Sequence, residues 1–139
     1  MKFDLETHAT LRIHAYDTGK LILAVPGNLQ VELAVDPETG LFQTTRSLIL
    51  TGQQVITDWE PSQPGELTAA HLEAVLSLDP ELVLLGTGSR QQFPPMDILQ
   101  PLHQARIGIE VMDTAAACRT FNILVAEGRH VVAALMMIE

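Results

Sequence analysis

Gly108-Ile109-Glu110-Val111-Met112-Asp113-Thr114-Ala115-Ala116-Ala117-Cys118-Arg119-Thr120-Phe121-Asn122-Ile123-Leu124-Val125-Ala126-Glu127-Gly128-Arg129-His130-Val131-Val132-Ala133-Ala134-Leu135 is the stretch that decides the fold. A short strand, Ile109–Met112, stops at Asp113-Thr114. Either of these residues can cap a helix, because a short side-chain oxygen accepts from the free amides of the first turn. Ala115–Ala117 are strong helix formers, and Cys118, Phe121, Leu124 and Val125 recur at helical spacing as one apolar stripe. Gly128 ends the helix by taking positive φ. Val131–Ile138 is a nearly unbroken apolar run of strand length, the pattern of a strand covered on both faces. Strand, helix and strand in about thirty residues form a βαβ unit, a crossover that is almost always right-handed.

Upstream, Leu82–Leu85 reads as a buried strand with Gly86-Thr87-Gly88-Ser89 as the loop at its carboxyl end. A helix follows from about Asp97 to Arg106, with Pro101 near its first turn, where a missing amide costs least. Thr68 caps an earlier helix, Leu67 can staple to Leu72 across the cap, and Leu72, Val75 and Leu76 make its buried stripe. The C-terminal half is thus β-α-β-α-β with short loops, which predicts parallel strands near residues 82, 109 and 131. In the N-terminal half, Leu11, Ile13 and Ala15 alternate with Arg12, His14 and Tyr16. Asp17–Lys20 turns the chain and Leu21–Val25 returns it as a hairpin. Leu29, Val31, Leu33 and Val35 alternate with Gln30, Glu32 and Ala34 and predict another strand. Leu41–Thr45 and Ser47–Leu50 are further strands. The expectation is one α/β domain over residues 1–139, with a mixed sheet and flanking helices.

Several of these segments together resemble a known family. They are Met112-Asp113-Thr114, Ala116–Leu124, Glu127-Gly128-Arg129 and Val132-Ala133-Ala134, with Leu85-Gly86-Thr87-Gly88, Ser47–Leu50 and Trp59 upstream. The family is a widespread set of small Mth-type domains of unknown function. It includes mitochondrial NADH:ubiquinone oxidoreductase complex assembly factor 3 and the adipogenesis-associated Mth-domain protein. The resemblance covers roughly Leu11 to Ile138 and is most specific from Leu82 onward. It implies a three-layer Mth-like fold, a mixed central sheet with flanking helices, and a loose role in assembly or interaction. It implies no reaction. About a dozen residues around Pro26–Gly40 exceed the family pattern and look like an extra hairpin, either a tolerated surface extension or a contact surface or dimer edge.

The composition narrows the function classes. Lys and Arg number 8 against 17 Asp and Glu, a formal net charge of −9. Nucleic acid and anionic membrane surfaces call for clustered basic residues, which this chain does not have. A single cysteine excludes an intrachain disulfide. Met1–Thr10 has the pattern of neither a signal peptide nor a mitochondrial presequence, and no apolar run approaches bilayer length. These readings predict a cytoplasmic protein without membrane insertion.

Chemistry has few places to sit. Ligands of open α/β sheets bind beyond the carboxyl ends of the strands. The loops there are Gly86-Thr87-Gly88 and Asp113-Thr114. Glycines admit close backbone approach, and a helix start offers unpaired amides. Gly86, Thr87, Gly88, Asp113, Thr114 and Arg119 are therefore the candidate ligand-binding residues, suited to a small anion or carboxylate. The alternative is a tight turn with a structural cap, since a capping Asp113 already uses the amides. The glycines are neither a dinucleotide fingerprint nor a phosphate loop. Cys118 is a possible thiol nucleophile with no evident base, and its place on the apolar stripe favours an inert, buried side chain. His8, His14, His71, His103 and His130 show no metal-ligand spacing. Ser47 and Ser89 lack a nucleophile-elbow context. Trp59, the only tryptophan, either packs or lines a site. Glu127 and Arg129 can pair with each other at a helix end or face a partner. No catalytic residue, metal or cofactor is expected, and catalysis is disfavoured though left open. Two functions remain. One is a non-catalytic interaction or assembly protein with an unidentified protein partner and possible self-association. The other is a small-molecule or anion-binding protein, or an unrecognised enzyme, using the rim just named.

Overall fold

The structure is a computed structural model, described over residues 9–139. The first elements are strands β1 (Arg12–Asp17) and β2 (Lys20–Ala24), an antiparallel hairpin closed by Thr18-Gly19 with Asp17 opposite Lys20. Gly19 sits at φ +73, where an L side chain is strained. Strand β3 (Leu41–Thr44) pairs antiparallel to the other side of β2. These three strands form their own sheet and do not join the central one.

The extra hairpin expected over Pro26–Gly40 is corrected. No strand forms there; residues 25–40 are the long connection between β2 and β3. The alternation that suggested a strand is present as burial, with Val31, Leu33 and Val35 half-buried and Gln30, Glu32 and Ala34 exposed. Both edges of β2 are already paired, however, and the segment bonds within itself. The N–H of Leu29 donates to Pro26, that of Val35 to Leu33, and that of Gly40 to Asp36. A period of two reports which side chains face inward, not whether a ladder forms.

The central sheet contains β4 (Leu48–Leu50), β5 (Val55–Ile56), β6 (Leu82–Gly86), β7 (Gly108–Met112) and β8 (Val131–Leu135), in the order β5-β4-β8-β6-β7. β6 is parallel to both β7 and β8, as the short crossovers predict, while β4 runs antiparallel to β8 and β5. β8 occupies the centre and every one of its residues is buried, which is why it reads as an unbroken apolar run. The sheet divides its side chains between two cores. On one face Leu48, Leu50, Leu84, Ala133 and Leu135 meet helix α3 (Thr114–Ala126), Ile13, Leu21 and Leu23 of the small sheet, and Leu11 just ahead of it. On the other, Ile49, Val83, Leu85, Val132 and Ala134 meet helices α1 (Ala69–Leu76) and α2 (Met96–Gln104) and Trp59. The fold is the expected three-layer α/β arrangement, with one outer layer shared between a helix and a second sheet.

The helices stand where the sequence places them. Thr68 caps α1 in a capping box whose return partner is His71 rather than the usual Glu or Gln. Asp113 caps α3, accepting from the N–H of Ala116 at 2.8 Å. Of the predicted α3 stripe, Cys118, Phe121 and Val125 are buried, Phe121 wholly, and Leu124 is partly buried. α2 begins at Met96, so Pro101 is its sixth residue and lies in the second turn rather than the first. Asn122 grips the outer edge of β1. Its Oδ1 accepts from the N–H of Ile13 and its Nδ2 donates to the carbonyl of Ile13, both at 2.9 Å. The contact sits beside a register shift between Ile13 and Ala15, and closes an edge that would otherwise expose unpaired backbone.

One expected ion pair is corrected. Arg129 bonds Glu81, Nε to Oε1 at 2.7 Å, not Glu127. Gly128 at φ +80 turns the chain away from the helix end. The register that sets Leu82 opposite Val131 then brings residue 81 beside residues 129 and 130.

Candidate functional site

The carboxyl ends of the parallel strands gather at one pole of the central sheet. Because β6 and β7 are neighbours, the Gly86-Thr87-Gly88 and Asp113-Thr114 loops do come together there. Their polar groups are turned on one another. The N–H of Thr87 donates to the carbonyl of Met112 at 2.9 Å. The Thr87 hydroxyl donates to the carbonyl of Arg90 at 2.6 Å and accepts from the N–H of Gln92 at 3.1 Å. The hydroxyl of Thr114 accepts from the N–H of Gly88 at 2.8 Å and donates to the carbonyl of Met136 at 2.7 Å. Thr114 thereby ties the ends of β6, β7 and β8 into one knot, and it has no solvent exposure. Gly86 is required by that knot: a Cβ there would lie 2.9 Å from Oγ1 of Thr114 and 3.0 Å from Leu135.

Of the six candidate residues, five share this knot. Arg119 lies one turn along α3, exposed, and donates to the Tyr16 hydroxyl of β1 at 2.8 Å. That hydrogen bond, foremost among its neighbours, holds the guanidinium above its ordinary pKa. Cys118 is 1% exposed, and burial pushes its thiol up to about 12, outweighing the lowering effect of Arg119. No thiolate forms there at neutral pH. Among the described residues no cluster of His, Cys, Asp and Glu is placed to hold a metal ion, and His8 lies outside them, as does most of the Met1–Thr10 segment.

Beside the knot, at the same pole, opens a cavity of about 530 Å³. It lies at the start of β4, which is antiparallel to β8 and so begins where β8 ends. Its walls include Arg46, Ser47, Asp58, Trp59, Glu60 and Met137. A second cavity of about 300 Å³ continues past Ser62, Met137 and Glu139 to Thr87, Gly88, Arg90 and Gln92. The sequence reading set Ser47 aside for want of an elbow and left Trp59 open. The structure adds that Ser47 and Trp59 are 3% and 8% exposed. Ser47 Oγ and Trp59 Nε1 have no hydrogen-bond partner among the described residues.

The wall behind Trp59 is rigidly wired. Nδ1 of His71 accepts from the N–H of Thr68 at 2.9 Å, so the neutral ring carries its proton on Nε2, which donates to Glu60 at 2.8 Å. The His71 ring meets Trp59 edge-on, with centroids 6.2 Å apart. Across the mouth, Arg46 and Asp58 pair loosely at 3.5 Å, with side chains 74% and 65% exposed.

Comparison with known proteins places this architecture. Residues 33–136 match the model of a family described as protein of unknown function (DUF498/DUF598). The 13 kDa major membrane protein of Francisella tularensis is 34% identical over 85 residues, covering 60% of this chain and 69% of that protein. Human NADH dehydrogenase [ubiquinone] 1 alpha subcomplex assembly factor 3 is 36% identical over 83 residues, covering 58% of this chain and 45% of that protein. The chain thus spans less than half the length of that assembly factor. Among solved structures, a Mth938-like domain from Bordetella pertussis superposes with a TM-score of 0.72 at 25% identity, covering 99% of this chain and 91% of that one.

Proposed function

We propose that this chain, which belongs to the DUF498/DUF598 family, acts as a non-catalytic interaction or assembly factor. The observation that carries the reading is its 36% identity to a protein named as an assembly factor of NADH dehydrogenase. The site geometry supports it. At the strand ends the polar groups are committed to holding the loops together, and the one thiol is enclosed and protonated. Neither arrangement supplies a nucleophile with a base in reach. No helix among the described residues is long and apolar enough to cross a membrane. A cytoplasmic working place and a protein partner are parts of the same proposal.

The test is mild copurification of the tagged protein from its own cells, with the eluate analysed for proteins and small molecules. A recurring partner in stoichiometric amount is the expected result. A bound small molecule with no protein partner would overturn the reading. It would favour the competing one, an anion or small-molecule site using Gly86, Thr87, Gly88, Asp113, Thr114 and Arg119. That alternative draws on the cavity at Thr87 and Gly88. It requires Thr87→Val or Arg119→Ala to abolish ligand-induced stabilisation without unfolding the protein.

A further inference from the structure

The Ser47–Trp59 cavity contains something the rest of the pole does not. A buried donor without a partner is a standing cost to the fold, because it gives up its bonds to water and gains none. Folded proteins pair almost all such groups. Here two of them, Ser47 Oγ and Trp59 Nε1, belong to residues that border one cavity. The buried hydroxyls of the adjacent knot, those of Thr87 and Thr114, are both paired. An indole N–H can only donate, and a hydroxyl can donate or accept. The pair therefore suits a group that accepts hydrogen bonds, such as a carbonyl.

The charge around the cavity selects what carries that carbonyl. Asp58, Glu60 and Glu139 line it and the cavity beside it against two cations, Arg46 and Arg90. The chain as a whole stands at −9. A bare anion would be repelled, whereas a carbonyl flanked by cationic groups would be attracted. The shape selects further. The two cavities share Ser62, Met137 and Glu139, so their walls continue from Arg46 to Gln92. An extended chain fits such a run, with backbone carbonyls offered to the donors and side chains set alternately to the walls.

We infer that this groove binds an extended, lysine- or arginine-bearing segment of a partner protein, one of its backbone carbonyls bonded by Trp59 Nε1 and Ser47 Oγ and its basic side chains set against Asp58, Glu60 and Glu139. The inference rests on the interaction reading above and names the surface and the chemistry of the partner. Arg46 and Asp58, both on the cavity wall, pair with each other and part for Asp58 to meet a basic side chain. Both side chains are exposed and the contact is long, so parting them costs little. The two polar atoms are themselves enclosed in the free protein. The incoming carbonyl then meets donors that have little hydration to lose.

Trp59, the only tryptophan in the chain, is its own reporter. The probe is a capped hexapeptide of alternating lysine and alanine, compared with its glutamate–alanine counterpart. The lysine peptide is expected to shift Trp59 emission saturably, and the glutamate peptide to leave it unchanged. By calorimetry, Ser47→Ala and Trp59→Phe should each weaken binding about fivefold. Asp58→Asn with Glu60→Gln should weaken it about tenfold and flatten its salt dependence. Asparagine is chosen at Asp58 because the backbone there has φ +57, which Asn tolerates. Ser47→Ala must leave the free protein as stable as before, since it removes a group that bonds nothing. A loss of affinity caused by misfolding is thereby separated from a loss of the donor. No saturable binding up to millimolar peptide, equal binding of the glutamate peptide, or unchanged affinity in the variants overturns the groove. If a copurifying partner is found and is still held by Ser47→Ala and Trp59→Phe proteins, the groove falls and the interaction reading stands. If the unaltered protein captures no partner, that reading falls by itself.

Discussion

Two neighbouring regions at one end of the central sheet handle their polar groups in opposite ways. In the knot around Thr114, hydroxyls and amides of three strand ends satisfy one another in a closed set. In the cleft around Trp59, two enclosed polar atoms have no partner among the described residues. The groups compared, Thr87 and Thr114 in one and Ser47 and Trp59 in the other, all have low exposure, and both regions border Met137. Burial therefore does not distinguish them; pairing does. A region whose buried groups are all paired is organised to hold the fold, and one that leaves donors unpaired gives up stability that a bound group can restore.

The contrast can be broken most forcefully at Thr114. Thr114→Val keeps the shape but strands the N–H of Gly88 and the carbonyl of Met136. A loss of about 3 kcal/mol is expected in urea unfolding. Gly86→Ala attacks the same knot through space, its Cβ pressing on Oγ1 of Thr114, and should cost about 2 kcal/mol. Asn122→Ala removes both bonds to Ile13 and should cost about 1.5 kcal/mol, seen as faster amide exchange along β1. Ser47→Ala, on the other side of the comparison, should leave stability within about 0.5 kcal/mol of its starting value or raise it. A loss there as large as at Thr114 would erase the distinction. The smallest effect belongs to Glu81. Its carboxyl lies below the ordinary value, first through the hydrogen bond from Arg129. A lowered folded value adds stability above the unfolded value near 4.5 and loses it as pH falls through the folded one. Glu81→Gln should therefore slightly reduce the difference in melting temperature between neutral pH and about pH 3.

Much of this was legible in the residues. The apolar run of β8, the caps at Thr68 and Asp113, and the parallel course of β6, β7 and β8 all follow from local pattern and loop length. So does the enclosure of Cys118, which sits on the apolar stripe of α3. What escaped depends on partners distant in sequence. Leu29–Val35 has the right alternation, but whether it pairs is decided by β3, which takes the free edge of β2. Arg129 looks locally to Glu127 and finds Glu81 through the register of two parallel strands. Asn122 in mid-helix carries no local sign that it serves Ile13. The Gly86–Gly88 and Asp113-Thr114 loops lie side by side because β6 and β7 are neighbours, while Arg119 turns to Tyr16. The loops' hydrogen bonds point inward because Thr114, read as an alternative cap, gives its hydroxyl to Gly88 and Met136 instead. The absence of a partner for Ser47 and Trp59 could only be seen in three dimensions, although the lone tryptophan next to an acidic turn was the available hint.

The position of β8 has a consequence in time. It is the middle strand of the central sheet and the last of the eight in sequence. On a ribosome, β4 and β6 emerge first and cannot meet, because the strand that lies between them has not been made. At typical elongation rates of about 5–20 residues per second, the interval is a few seconds. Leu48–Leu50 and Leu82–Leu85 wait through it as apolar segments with open edges. The small sheet waits too, since Asn122 is also late. Nascent copies of this protein are thus held open from the middle, and their rescue by chaperones or their loss to aggregation is settled in that interval.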